Sequence, residues 1–136
     1  SSLQEIPLDE IEEGDVIVHN DPYRGGLHTP EHSLFTPVFV DGELVAFTVA
    51  IGHVAEVGGM APGSFPAEAS EIFHEGIIIP SMKINERDLY DGPVEAMLRA
   101  NCRLPDIVLG DFHAQLSAAM RGRAMVQELI QNSLMK

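Results

Sequence analysis

The dipeptide Asp41-Gly42 separates two runs rich in β-branched and aromatic residues, 34–40 and 43–51. Asp-Gly between such runs favours a two-residue type I′ turn, because both turn positions then need a positive φ. The sequence therefore predicts a β-hairpin here, and no other feature restricts the fold as strongly. In a two-residue turn Val40 lies opposite Glu43, and this pairing fixes the register of both strands.

The same register predicts which polar side chains meet at the open end of the hairpin. Counting back from the turn, Glu31 lies opposite Gly52 and Pro30 lies opposite His53. His28 precedes Pro30 by two residues, so we expect His28, Glu31 and His53 to lie together at that end. A three-residue loop shifts the pairing by one position and keeps this convergence.

Two imidazoles and a carboxylate form a mixed nitrogen and oxygen site that suits a divalent transition metal, Zn²⁺, Mn²⁺ or Fe²⁺. We therefore predict His28, Glu31 and His53 as metal ligands, with further positions open for water or substrate. The alternative is that three polar side chains lie near the mouth of a hairpin without a ligand. Short motifs of this kind often arise by chance.

Two more acids are candidate catalytic residues. Asp21, in an Asn-Asp-Pro turn, either orients a ligand histidine or serves only the turn itself. Glu56, three residues after His53, is either a supporting group or general base, or a solvated acid in a loop. His32 alternates to the opposite side of the hairpin from Glu31, where we expect a surface residue or a spare ligand.

The rest of the chain predicts one domain over residues 1–136, with an acidic N-terminal segment at 1–14. A short buried strand is expected at 16–18, and a strand-like run ends the stretch 71–80 and continues at 82–84. One helix is expected over 93–100, and a second opens at Gly110-Asp111 with Asp111 as its N-cap. The fold class is therefore α+β, with a hairpin-rich mixed sheet at the front and two C-terminal helices.

Charge and composition exclude several functions. The 136 residues carry a net charge of -13, and residues 1–80 contain 14 acidic side chains and a single basic one, Arg24. Nucleic acid and anionic membranes both require a basic surface, so neither is an expected partner. The single cysteine, Cys102, excludes an internal disulfide and fits a reducing compartment. No secretory signal or phosphate-binding loop is visible, and the expected location is cytoplasmic.

Several short motifs occur together in an order and spacing that resemble the hydantoinase B/oxoprolinase family. The resemblance extends from about residue 15 to residue 130, nearly the whole chain. It rests on Gly14-Asp15-Val16, Asn20-Asp21-Pro22-Tyr23, Gly25-Gly26, His28-Thr29-Pro30-Glu31, Thr36-Pro37-Val38-Phe39, Asp41-Gly42, His53, Gly58-Gly59-Met60, Glu71-Ile72-Phe73, Glu75-Gly76, Asn101, Arg103, Gly110-Asp111 and Gln115-Leu116.

Members of this family are typically longer, so the resemblance is to an internal piece of such a chain. They include B subunits of ATP-dependent hydantoinases, one half of fused 5-oxoprolinases, and alpha subunits of acetone and acetophenone carboxylases. The resemblance assigns the family's metal ligands to His28, Glu31 and His53. The family more often has Asp at the position of Glu31, and often His-His-Ala-Asp where this chain has His53-Val54-Ala55-Glu56.

The function that the resemblance implies is a reaction shared between two subunits. A hydantoinase A-type partner binds ATP and Mg²⁺ and phosphorylates a cyclic amide, and the B-type subunit then hydrolyses the activated intermediate at its metal. The first alternative is the carboxylase branch, with a ketone-derived substrate at the same site. The second alternative is an inactive excised structural module, which folds and forms homo-oligomers without activity.

Overall fold

The structure is a computed structural model that describes residues 5–134, so the first four residues of the acidic segment lie outside it. Four strands form one antiparallel sheet in the order β3-β2-β1-β4. Two helices follow the sheet in the chain, which confirms the α+β fold class. The elements are β1 (Asp15–His19), β2 (Glu31–Val40), β3 (Glu43–His53), β4 (Met82–Asn85), α1 (Pro93–Asn101) and α2 (Pro105–Leu134).

The hairpin between β2 and β3 turns at Asp41 and Gly42, as the sequence predicts. Asp41 has a φ of 52° and Gly42 a φ of 83°, the two positive values that a type I′ turn requires. The predicted register is wrong by one residue over most of the hairpin, because a β-bulge interrupts the pairing between Val38 and Phe39. Beyond the bulge Glu31 pairs with His53, and the predicted pairing of Glu31 with Gly52 does not occur.

Helix α2 begins at Pro105, five residues before the predicted start at Gly110. Proline suits the first turn of a helix, because its missing N–H has no partner there in any case. Gly110 lies inside the helix with open space around it, where it costs only about 1 kcal/mol relative to alanine. Asp111 therefore does not cap α2; its Oδ2 accepts a hydrogen bond from Ala55 N at 2.9 Å.

The stretch 71–80, predicted to end in a strand-like run, forms no strand; only its predicted continuation does, as β4. A 3₁₀ turn covers Ile72–Glu75, and an extended stretch leads from it to β4. The Asn20 side chain takes the place of a strand partner for this stretch. Its Nδ2 donates to Ile77 O at 2.8 Å, and its Oδ1 accepts from Ile79 N at 2.6 Å.

The core lies between the sheet and α2, which packs across β2 and β3. Helix α2 lies close to β3 at positions where the side chains are small. The Thr48 hydroxyl donates to Ala119 O at 2.8 Å, and Gly122 lies against Thr48. Within residues 5–134, no helix combines the length and apolar character needed to cross a bilayer. The buried core includes Val16, Val18, Leu34, Val57, Ile84, Leu98, Val108, Phe112 and Leu116.

Candidate metal centre

Two of the predicted metal ligands, His28 and His53, lie in direct contact at the open end of the hairpin. Their Nε2 atoms are 2.5 Å apart, and their ring centroids are 4.5 Å apart. His53 ends β3, and His28 lies in the loop before β2. The loop is fixed by two hydrogen bonds, from Glu31 N to His28 O and from Val54 N to Pro30 O, both 2.9 Å.

The third predicted ligand, Glu31, lies directly opposite His53 in the strand register. Its Oε1 accepts a hydrogen bond from Leu27 N at 3.2 Å, so the carboxylate contacts the loop that contains His28. Within residues 5–134, no group of three or more His, Cys, Asp or Glu side chains converges on a common point. The structure thus brings two predicted ligands together and holds the third on the neighbouring strand.

The donor set fits a divalent transition metal. Two imidazole nitrogens bound to one ion stand farther apart than 2.5 Å, because each lies about 2.0–2.1 Å from Zn²⁺. Binding therefore requires the rings of His28 and His53 to separate and the Glu31 carboxylate to leave Leu27 N. The exposure of His53 and the partial exposure of His28 and Glu31 leave space for both changes as side-chain rotations.

Helix α2 fixes the end of β3 from the opposite side of the sheet. Asp111 accepts from the backbone N–H of Ala55, two residues after His53. The Gln115 carboxamide rests on Gly52, where an added Cβ would lie 2.8 Å from its Nε2. Gly52, the residue before His53, therefore lies so close to the helix that a larger residue there would displace Gln115.

His32 is buried, so its interpretation as a surface residue is wrong. The alternation along β2 does place it opposite Glu31, but α2 covers that side, and the His32 ring packs edge-on against Phe112 at 4.5 Å. Its Nδ1 lies 3.2 Å from Pro30 O. Burial lowers the pKa of His32 to about 4, because the surrounding core disfavours the charged imidazole.

The first candidate catalytic acid, Asp21, forms a turn with its own backbone. Its Oδ1 accepts from Tyr23 N at 2.9 Å, and its Oδ2 lies 3.3 Å from Arg24 Nε. The turn alone accounts for these contacts. Among the described contacts of Asp21, none is to an imidazole.

The second candidate, Glu56, is a buried carboxylate with 2% of its surface exposed. Its interpretation as a solvated loop acid is therefore wrong. The Oε2 atom accepts from Gly58 N at 2.6 Å, and the Oε1 atom accepts from Leu104 N at 3.1 Å. Two backbone donors compensate much of the cost of burying the charge. Glu56 thereby ties the loop after β3 to the start of α2.

A cavity of about 420 Å³ opens beside His28. Sequence reasoning missed two residues that line it, Phe65 and Glu75. The Phe65 ring lies 5.1 Å from the His28 ring, between centroids. The signals in the sequence were a glycine-rich loop before Phe65 and the Glu-Gly pair at Glu75. The lining residues are His28, Ser64, Phe65, Pro66, Ala67 and Glu75.

Comparison with known proteins identifies the family. The family model described as hydantoinase B/oxoprolinase matches residues 2–134. The beta subunit of caprolactamase from Pseudomonas jessenii is 39% identical over 122 residues, which cover 90% of this chain and 21% of that protein. The delta subunit of acetophenone carboxylase from Aromatoleum aromaticum is 36% identical over 122 residues, with 89% and 18% covered.

The fold agrees with a solved structure of the same kind. The crystal structure of ATP-dependent caprolactamase from Pseudomonas jessenii superposes with a TM-score of 0.80 at 38% identity, over 91% of this chain and 21% of that one. The chain thus spans about one fifth of the length of these relatives. From the match over residues 2–134, the chain belongs to the hydantoinase B/oxoprolinase family.

Proposed function

We propose that this chain is the metal-dependent catalytic segment of an ATP-dependent cyclic-amide hydrolase of the hydantoinase/5-oxoprolinase type, in the position of the B-type subunit. The observation that carries the proposal is the contact between the Nε2 atoms of His28 and His53 beside a cavity of about 420 Å³. Similarity to a protein named as the beta subunit of caprolactamase supports a cyclic amide as the substrate class.

His28, Glu31 and His53 would hold the divalent transition metal, Zn²⁺, Mn²⁺ or Fe²⁺. When bound, such an ion supplies Lewis acidity toward a substrate oxygen and increases the acidity of water. The two strand ends orient the His53 imidazole and the Glu31 carboxylate, because these residues are paired in the sheet. The exposed Phe65 ring lies 5.1 Å from the His28 ring, between centroids, in the lining of the same cavity.

Asp21 and Glu56 enter the proposal as groups that position the loops around this pair. Both carboxylates accept backbone hydrogen bonds, from Tyr23 N and Gly58 N respectively. A carboxylate that is buried and bonded in this way is a poor acceptor for a substrate proton. We therefore assign both carboxylates to orientation of the site. Their removal is expected to weaken metal binding more than it slows proton transfer.

The ATP-dependent step belongs in this proposal to a hydantoinase A-type partner. The sequence lacks the glycine-rich phosphate-binding loop that ends in Gly-Lys-Ser/Thr. Two relatives are named as single subunits, one of a caprolactamase and one of a D-/L-hydantoinase, which supports a complex of several chains. The partner would bind ATP and Mg²⁺ and activate the substrate, and this chain would complete the hydrolysis.

The test is ATP-dependent ring opening of a cyclic amide by the complete complex. The His53→Ala variant removes a ligand at an exposed position, so we expect the rate to fall by about three orders of magnitude or more with the fold intact. His74→Gln is the matched control, because His74 pairs with Glu71 outside the cavity. Wild-type activity in His53→Ala would contradict the proposal.

A second candidate function is the carboxylase branch with a ketone-derived substrate. The 36% identity to the delta subunit of acetophenone carboxylase favours this candidate specifically. A bicarbonate requirement and a product that gains a carboxylate would identify it, whereas ring opening without bicarbonate identifies the hydrolase. A folded chain with neither activity in its complex would be the inactive structural module.

A further inference from the structure

The peptide group between Pro30 and Glu31 joins the loop that contains His28 to strand β2, and both of its polar atoms are hydrogen-bonded. Pro30 O accepts from Val54 N at 2.9 Å and lies 3.2 Å from His32 Nδ1. Glu31 N donates to His28 O at 2.9 Å. The Glu31 side chain begins at this peptide group, so the orientation of the peptide determines where the Glu31 carboxylate can reach.

The His32 ring supplies the only side-chain donor that the structure of residues 5–134 gives to this peptide group. A carbonyl oxygen only accepts hydrogen bonds, so His32 Nδ1 carries a proton and donates to Pro30 O. In the neutral imidazole the other nitrogen, Nε2, is then an acceptor. This Nε2 atom is buried, and within the same residues it has no hydrogen-bond partner. An unpaired buried acceptor destabilises the folded chain.

A polar side chain of α2 lies beside His32 without supplying the missing donor. Gly52 is paired with His32, and the Gln115 carboxamide lies 2.8 Å from the place of a Cβ on Gly52. Paired residues have their Cβ positions about 4.5–5.5 Å apart, so this carboxamide is a neighbour of His32. Gln115 Oε1 is itself buried without a partner in the described part of the chain. The chain therefore retains a histidine here at a cost in stability that an apolar side chain would avoid.

We propose that His32 is a positioning residue for the metal centre: its Nδ1–H holds the peptide that precedes Glu31, so that the Glu31 carboxylate reaches the same ion as His53. The inference rests on the proposed function in taking Glu31 and His53 as ligands. An apolar residue in place of His32 would leave Pro30 O with its backbone donor, so no buried carbonyl becomes unpaired. Metal affinity and stability should therefore respond differently to the loss of His32.

The test measures Zn²⁺ affinity by calorimetric titration of the 136-residue chain, together with urea unfolding of the metal-free chain. His32→Leu removes the Nδ1 donor and fills its space with an apolar side chain. We expect Zn²⁺ to bind about tenfold more weakly, while the urea midpoint stays at or above the wild-type value.

Two polar variants show whether the donor at the Nδ1 position is what matters. The shorter amide of His32→Asn places an N–H donor where Nδ1 lies, so we expect a Zn²⁺ affinity within about threefold of wild type. His32→Gln places its amide where Nε2 lies, so we expect the loss of about tenfold seen in His32→Leu.

Two controls separate positioning from folding. His113→Leu removes a histidine that donates to another backbone carbonyl, Leu89 O at 2.8 Å, and we expect a lower urea midpoint with wild-type Zn²⁺ affinity. In a Glu31→Ala background His32→Leu should change the affinity by less than about twofold, because its effect passes through Glu31. Unchanged affinity in His32→Leu, no recovery in His32→Asn, or an equal loss in the Glu31→Ala background would overturn the inference.

Hydrogen exchange at the Glu31 amide of the metal-free chain tests the contact without any metal. We expect exchange about tenfold faster in His32→Leu and His32→Gln than in wild type and His32→Asn, because the peptide loses a partner at Pro30 O. Wild-type chain that binds no Zn²⁺ would contradict the proposed function, and these exchange rates would still support the contact. Zn²⁺ binding with equal exchange and equal affinity in every variant would overturn the role of His32 and leave the proposed function intact.

Discussion

Asn20 joins three segments of the chain through its side chain while it is fully buried. It donates to Thr29 O at 2.7 Å and to Ile77 O at 2.8 Å, and it accepts from Ile79 N at 2.6 Å. Asn20→Ala leaves three backbone groups without partners, each at a cost of about 1–3 kcal/mol. We expect the free energy of unfolding in urea to fall by about 3 kcal/mol or more.

The control for this measurement is Asn132→Ala, an exposed asparagine on α2. A change within about 0.5 kcal/mol is expected there, because a solvated side chain on a helix surface has no buried partner to lose. A similar small change in Asn20→Ala would show that the segment before β4 is held by other contacts.

His32 makes the stability of the metal-free chain depend on pH. Its pKa is lowered to about 4 by burial, below the ordinary value of 6.5, so the unfolded chain binds more protons between these values. Stability is therefore complete above the ordinary pKa and declines as the pH falls toward 4. Burial also lowers the pKa of His19, which acts in the same direction.

The expected size of the His32 contribution is a loss of about 2 kcal/mol in the free energy of unfolding between about pH 7.5 and pH 5. His32→Gln should remove most of this slope, and the remainder belongs to His19 and the other titrating groups. Urea unfolding across this pH range measures it. An equal slope in His32→Gln and wild type would contradict a neutral, buried His32.

The sequence identified the histidine pair because strand pairing and a specific turn dictate which residues meet. It could not identify Phe65 or Glu75, since the loops that bring them to His28 depend on contacts such as Ser64 Oγ with Gly58 O. The burial of His32 could not be predicted for a similar reason. The alternation of side chains along β2 shows on which side of the sheet His32 lies, but only the packing of α2 decides whether that side is covered.

Among the secondary-structure elements, α2 positions the end of β3 through Asp111. We expect Asp111→Ala to speed hydrogen exchange at the Ala55 amide, because its acceptor at 2.9 Å is lost. The same variant should weaken metal binding about 10–100-fold, the usual effect of removing a group that orients a ligand. Hydrogen-exchange NMR and metal titration measure the two effects.

Asp111→Asn is the matched control, because its carboxamide oxygen still accepts from Ala55 N. It should keep slow exchange and near wild-type metal affinity. Should Asp111→Ala bind metal as tightly as wild type, α2 has no part in positioning His53.

The hairpin shows how far an element can be predicted from its turn. Asp41-Gly42 gave the correct turn type, but the bulge at Val38 and Phe39 moved the register by one residue. A bulge depends on the twist and packing of the whole sheet, so the turn residues do not encode it. As a result Glu31 pairs with His53, whereas the turn alone predicts that Glu31 pairs with Gly52.

Across the whole molecule, the acidic residues and the candidate site occur in the same part of the chain. Residues 1–80 contain all of the net charge of -13 and five of the six histidines, including His28 and His53. An acidic surface raises the local concentration of cations. The distribution of charge therefore agrees with a cation site at the end of the hairpin, and with the exclusion of nucleic acid.

The most direct test of the metal centre is metal content by mass spectrometry after metal-replete purification of the chain. We expect about one divalent transition-metal ion per wild-type chain, less than a tenth of that in His28→Ala and His53→Ala, and the wild-type value in His74→Gln. Wild-type chain without bound metal, or full metal content in both His28→Ala and His53→Ala, would contradict the proposal that this pair holds the ion.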